Sequence, residues 1–159
     1  MSTGSTTDAT DSPAAGAAAL AGVVAELADA LAADLTVEDL AQLLGPVEND
    51  PGIPLEVVLR PSSALLAAAD VGRFPDSGLP YTVTLRPAPG VVVTPAVLAA
   101  SFGDYRRTPT HRGRPAELVY ARTTAGPRWS VVLMIQVESQ ASDLDDAPVT
   151  SITLRRDAE

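Results

Sequence analysis

The chain has no cysteine and no lysine, a single histidine, and aromatic side chains at only 4% of its 159 residues. Without cysteine there is no disulfide framework, no thiol nucleophile, no thiolate-ligated zinc and no iron–sulfur cluster. With His111 as the one imidazole, a serine–histidine triad has a single candidate base, and a zinc site built from several histidines has too few ligands. Without lysine, the phosphate loop G-x-x-x-x-G-K-[ST] cannot be completed. Basic residues are also missing before the first apolar run, Ala14 to Ala25, so a secretory n-region is lacking. That run is shorter than the ~20 residues a bilayer requires, and Glu26 and Asp29 follow it. The expectation is a cytoplasmic protein with no membrane partner.

What is present points to one folded domain. Hydrophobic residues make up 46% of the chain, enough to bury a core at this length. The net charge of −9 is unevenly distributed. Residues 1–59 hold ten acids and no base, whereas residues 60–159 hold ten acids and eleven arginines. An acidic arm or face follows from that asymmetry, and nucleic acid is disfavoured as the main partner. The exclusive use of arginine, with abundant Ala, Pro, Gly and Val, reads as the codon bias of a high-GC genome.

Local patterns predict an α+β fold, an antiparallel sheet covered by short helices. Residues 1–12 offer nothing large to bury and read as a disordered arm; residues 13–159 read as a single domain. An alanine-rich helix is expected over Pro13 to Ala33, with Ser12 as N-cap and Leu20, Val24, Leu27 and Leu31 on one face. That face either packs on its own domain or docks on a partner. Thr36 and Asp39 have capping-box spacing, Val37, Leu40, Leu43 and Leu44 form an apolar stripe, and Gly45-Pro46 stops this second, short helix. An acidic turn, Glu48 to Gly52, leads to a strand over Leu55 to Arg60. Ser62 to Val71 reads as a short Ala/Leu helix, and Tyr81 to Arg86 as an alternating strand with Tyr81, Val83 and Leu85 on one side. The second half repeats the order: a helix over Val93 to Gly103, a loop from Asp104 to Pro115, strands over Ala116 to Thr123 and Trp129 to Glu138, an acidic loop over Ser139 to Pro148, and a strand from Val149 to Arg156. The stretch Val131 to Val137 is apolar on both sides, which implies a central strand whose second face needs helices or a partner to cover it.

Thr36, Leu40 and Gly45 recur as Thr94, Leu98 and Gly103, so the chain reads as two pseudo-repeats over about 34–90 and 91–157. The form Leu35-Thr36, Leu40, Gly45-Pro46, then Val93-Thr94, Leu98, Phe102-Gly103, resembles the tandem helix-plus-sheet repeat of the SmpA/OmlA and beta-lactamase-inhibitor-protein (BLIP-like) group. The chain departs from that group in lacking cysteine pairs and in carrying Asp34 and Val92 where the group often has glycine. The resemblance implies a non-catalytic protein-binding role in which exposed aromatics on a sheet face grip a partner.

The candidate site is a basic island in an acidic chain. Residues 104–115 hold Tyr105, Arg106, Arg107, His111, Arg112 and Arg114, and Arg128 with Trp129 follows at the start of the long strand. Arginine forks recognise carboxylates and phosphates, so an anionic partner fits; equally, the loop can neutralise the chain's own acidic third. His111 can serve as a proton-transfer group or stand as a simple loop residue. Asp143, Asp145 and Asp146 lack the glycine and terminal glutamate of a calcium loop. Trp129 beside Arg128 reads as an interface anchor or as core. No catalytic set, metal site or cofactor is assigned. The expectation is a non-enzymatic protein-binding module, an adaptor, inhibitor, chaperone or immunity-type protein, whose partner is another protein with an acidic surface; a homodimer is allowed. The rival is a small-molecule-binding or enzymatic α+β cone with His111, Tyr105 and Arg107 as donors around a pocket.

Overall fold

The computed structural model describes residues 13–108, 115–138 and 143–158. The expected arm, residues 1–12, and the loop residues 109–114, which include His111, Arg112 and Arg114, lie outside them.

Alanine content and the Leu20/Val24/Leu27/Leu31 stripe form helix α1, Pro13–Ala32. All four side chains are essentially inaccessible, so this face packs on the chain's own sheet, mainly against the long strand near the C-terminus. By length and composition the window Ala15–Ala32 could cross a membrane; half of it is buried here, with Glu26 and Asp29 exposed. Helix α2, Val37–Leu44, begins at the expected cap: Thr36 Oγ1 accepts from the Asp39 N–H, and the Asp39 carboxylate accepts from the Thr36 N–H. Leu40 and Leu44 are buried, but Leu43 is 55% exposed, because an eight-residue helix turns only a narrow stripe to the core. Helix α3, Pro95–Phe102, has proline in its first turn and ends at Gly103.

Nine strands form one antiparallel sheet. The first half supplies β1 (Val47–Asn49), β2 (Val57–Leu59), β3 (Leu66–Arg73) and β4 (Pro80–Pro87). The second supplies β5 (Tyr105–Arg107), β6 (Ala116–Tyr120), β7 (Thr124–Ala125), β8 (Trp129–Val137) and β9 (Val149–Ala158). The order is β1-β2-β3-β4-β9-β8-β6-β5, with β7 beside β8. Each half is thus a helix followed by a meander running from an edge to the centre, and the halves meet where β4 pairs β9. Thr84 and Thr153 face each other across that seam, their hydroxyl oxygens 3.3 Å apart. Buried residues alternate in register: Val57 and Leu59, Ala69 and Val71, Val83 and Leu85 in one half; Leu118 and Tyr120, Leu133 and Ile135, Ile152 and Leu154 in the other. These side chains and the three helices share one core on one face of the sheet.

The structure corrects several local expectations. Ser62 to Val71 is not a helix: Leu66–Arg73 is a full strand between β2 and β4. The Ala/Leu segment is too short to be stable as an isolated helix, and pairing on both sides overrides its helical preference. Tyr81 leaves the side of Val83 and Leu85 because the register of β3 and β4 slips there, Gly72 pairing Thr82 and Arg73 pairing Pro80; Tyr81 is the extra residue and remains 37% exposed. On the second face of the apolar strand β8, neighbouring side chains take the place of a helix layer. Val132, on the face away from the helices, is only 8% exposed, and cross-strand Arg155 reaches to the Met134 sulfur while its guanidinium is held by Asp157 at 2.9 Å. The arginine stem shields the apolar patch, and threonines and serines of β4, β9 and β8 fill the rest of that face.

Candidate functional site

The basic island does not behave as a unit. Tyr105–Arg107, expected in a loop, forms β5, the outermost strand on its side of the sheet among the described residues. Gly103 ends α3 and turns the chain directly into this strand. Thr108 N–H donates to Glu117 O at 2.9 Å and Ala121 N–H to Asp104 O at 2.8 Å, so alternate residues of β5 face β6. Antiparallel geometry therefore turns the N–H and C=O groups of Tyr105 and Arg107 outward. Arg106, opposite Val119, lies on the open face; Arg107, opposite Leu118, lies on the helix side. Both are exposed, and neither is held in an ion pair among the described residues.

Neutralisation of the acidic third falls to other arginines. Arg73 binds Asp50 at 2.9 Å, Arg60 meets Glu48 at 3.6 Å, and Arg128 meets Asp34 at 3.4 Å. The Gly52 N–H, followed by Arg73, holds the Asp50 carboxyl below the usual carboxylate range. Of the residues grouped with the site, Arg128 is thus a tether to the end of α1.

Trp129 is buried, at 6% exposure, and is no exposed anchor. Its indole N–H donates to Asp34 at 3.1 Å, Phe74 stacks on it with ring centroids 5.2 Å apart, and the guanidinium groups of Arg128 and Arg156 lie 4.9 and 5.1 Å from its ring centre. Its partners come from the α1–α2 link, the β3–β4 turn and β9, so the ring joins the two halves of the fold. Tyr120 is buried as well and donates to Pro95 O at 2.6 Å, fixing the start of α3 on β6.

Tyr105 occupies the boundary between core and edge. Its ring meets Tyr120 edge-on, and its hydroxyl donates to Asp145. Desolvation first, then that hydrogen bond and the neighbouring aspartates, push its pKa up to about 12; desolvation also raises that of Tyr120. Asp143 accepts from the Asp145 N–H in a 3-10 turn over Leu144–Asp146, so two carboxylates of the acidic loop are committed to local contacts. An open hollow of roughly 630 Å³ beside Ala96, Ala99, Asp104, Tyr105 and Asp145 is the nearest counterpart of the pocket imagined for a small ligand.

The Tyr105 environment gives a pH prediction. Its folded pKa lies above the ordinary tyrosine value of 10.0, so the associated stability is complete below pH 10 and is lost as pH rises toward about 12. Tyr105→Phe should flatten the fall in unfolding free energy over that window, as urea titrations at several pH values will show; an unchanged slope would refute the assignment.

Arg156 is not set apart by charge alone from the exposed arginines of the chain. It is fully buried and donates to Leu31 O, Ala33 O and Pro80 O at 2.7, 2.7 and 3.0 Å. Its phase with Ile152 and Leu154 was the available signal, since all three point to the same side of β9.

No protein-family model matches the chain, no curated protein matches it, and no solved structure matches it.

Proposed function

We propose that the chain is a non-catalytic protein-binding module of the cytoplasm, and that β5 is its docking strand for an extended acidic segment of a protein partner. The observation that supports this reading is the position of Arg106 and Arg107: exposed, without an ion pair among the described residues, and set on a strand with outward-facing backbone groups. A segment added to that edge gains main-chain hydrogen bonds, while carboxylates on successive residues, which point to opposite faces, meet one arginine on each face of the sheet. The mirrored meanders are consistent with two repeats of one helix-plus-sheet unit, and hence with the SmpA/OmlA and BLIP-like resemblance. The grip proposed here is the strand edge rather than the aromatics of a sheet face.

Selection from a displayed library of random twelve-residue peptides tests the proposal. Enriched sequences should be rich in Asp and Glu, and their affinity should fall at least about tenfold for the Arg106→Glu/Arg107→Glu variant, two charge reversals at one contact. Peptides without acidic preference, or acidic peptides that bind the variant equally well, would overturn it.

A further inference from the structure

The two edges of the sheet differ in a way that identifies a partner for β5. At the opposite edge, β1 is exposed along its whole length and carries Glu48, with Asp50 just beyond it and Glu38 on the adjoining helix. The same end gathers exposed apolar side chains: Val47 and Ile53 at 45% and Leu55 at 60%. Of these, Val47 lines a hollow of roughly 390 Å³ between β1, α2 and the β3–β4 turn, next to the Arg73–Asp50 pair. An edge strand with a cluster of exposed apolar residues is a template for a further strand.

We infer that the chain associates end to end with copies of itself, β5 of one copy adding to β1 of the next; this rests on the reading of β5 as a docking strand. Counting from β1 to β5, the sheet path contains eight strands that alternate in direction. The two edges therefore run in opposite directions. A second copy placed beyond β1 without reversal offers β5 antiparallel to β1, and the helices stay on the same side. Pairing β1 with β1, or β5 with β5, is also antiparallel after a half-turn, but it sets Glu48 against Glu48 or the arginines against each other, which is unfavourable. Only the mixed pairing brings Arg106 and Arg107 to Glu48 and Asp50. Edge charges block pairing with like edges and leave this combination open. Competition from within the chain is weak at Glu48, which meets Arg60 at 3.6 Å with the two side chains 50% and 73% exposed, whereas Asp50 is already held by Arg73 at 2.9 Å, so Glu48 is the principal acid of the contact. Because the two surfaces differ, the contact is heterologous and extends rather than closing at two copies.

Sedimentation velocity of the full chain, over micromolar to millimolar concentration in low and high salt, tests the inference alongside two variants. Wild type should grow in mass with concentration at low salt and shrink at high salt. Arg106→Glu/Arg107→Glu makes both edges acidic and Glu48→Arg sets an arginine on β1 against those of β5, so each alone should associate at least about tenfold more weakly. An equimolar mixture of the two should recover the association, since the glutamates on β5 of one variant then meet the arginine on β1 of the other. Wild type that stays monomeric at every concentration overturns the inference, as do variants that associate like wild type or a mixture that does not recover. Monomeric wild type that still binds acidic peptides through Arg106 and Arg107 would separate this failure from that of the docking strand itself. Unchanged urea midpoints of the surface variants control for folding.

Discussion

Arg156→Met is expected to lose about 3 kcal/mol of stability, and with it roughly 6–12 °C of melting temperature for a domain of this size. The guanidinium is the common partner of three carbonyls, two at the C-terminus of α1 and one at the start of β4. Helix ends leave carbonyls without intrahelical partners, and the negative end of the helix dipole favours a cation there. Trp129 supplies a ring face to the same group. Desolvation pulls the pKa of Arg156 down, so burial has a cost that methionine would remove. The unpaired carbonyls outweigh that relief, because each buried acceptor left without a donor costs about 1–3 kcal/mol. Arg156→Lys should recover less than half of the loss, since an ammonium cannot reach three carbonyls arranged around a planar fork. Chemical unfolding of the three proteins decides the matter: a methionine variant within about 0.5 kcal/mol of wild type would mean that the carbonyls find other partners.

What the sequence disclosed was set locally. Thr36, Asp39 and Gly45 mark α2 at both ends because caps and stops act over a few residues, and the strands β4 and β9 show as alternation because one face of each is buried. β3 was misread because what makes it a strand, pairing with β2 and β4, lies outside the segment, whereas its alanines favour a helix. The three-residue edges β1 and β5 are too short to alternate visibly. The candidate site was legible to the same degree. Arg106 and Arg107 could be picked out by charge, but their place at a sheet edge depends on the whole strand order. Arg128 looked equivalent to them until Asp34, almost a hundred positions away, took it as a partner. Trp129 shows the same limit: its burial is determined by Phe74, Asp34 and Arg156, none of them near it in sequence.

Gly45→Ala should be far more damaging than Gly103→Ala, although the two glycines close matching helices in the two halves. A Cβ at Gly45 would lie 1.8 Å from the Arg60 carbonyl oxygen and 2.9 Å from the Ser62 nitrogen. Both are backbone atoms, so neither can swing aside. Relieving the clash means separating the end of α2 from the end of β2, where Arg60 N–H donates to Pro46 O and Ser62 N–H to Leu44 O, each at 2.8 Å. The φ of +142° at Gly45 adds backbone strain for any L side chain. Together these predict a loss of more than about 3 kcal/mol, in the range reserved for steric conflict with the main chain. At Gly103 the φ of +76° is also in the left-handed region, but a Cβ would meet only side-chain atoms of Arg122, at 3.5 Å or more. An exposed arginine can yield, so Gly103→Ala should cost about 1 kcal/mol, the backbone term alone. Urea unfolding of the two variants separates these cases; equal losses would show that α2 does not close against β2 in this way. Because the Arg60–Pro46 bond that the alanine would break also sets the start of β1, Gly45→Ala should disturb the acidic edge while leaving β5 intact, whereas Gly103→Ala should leave both edges in place.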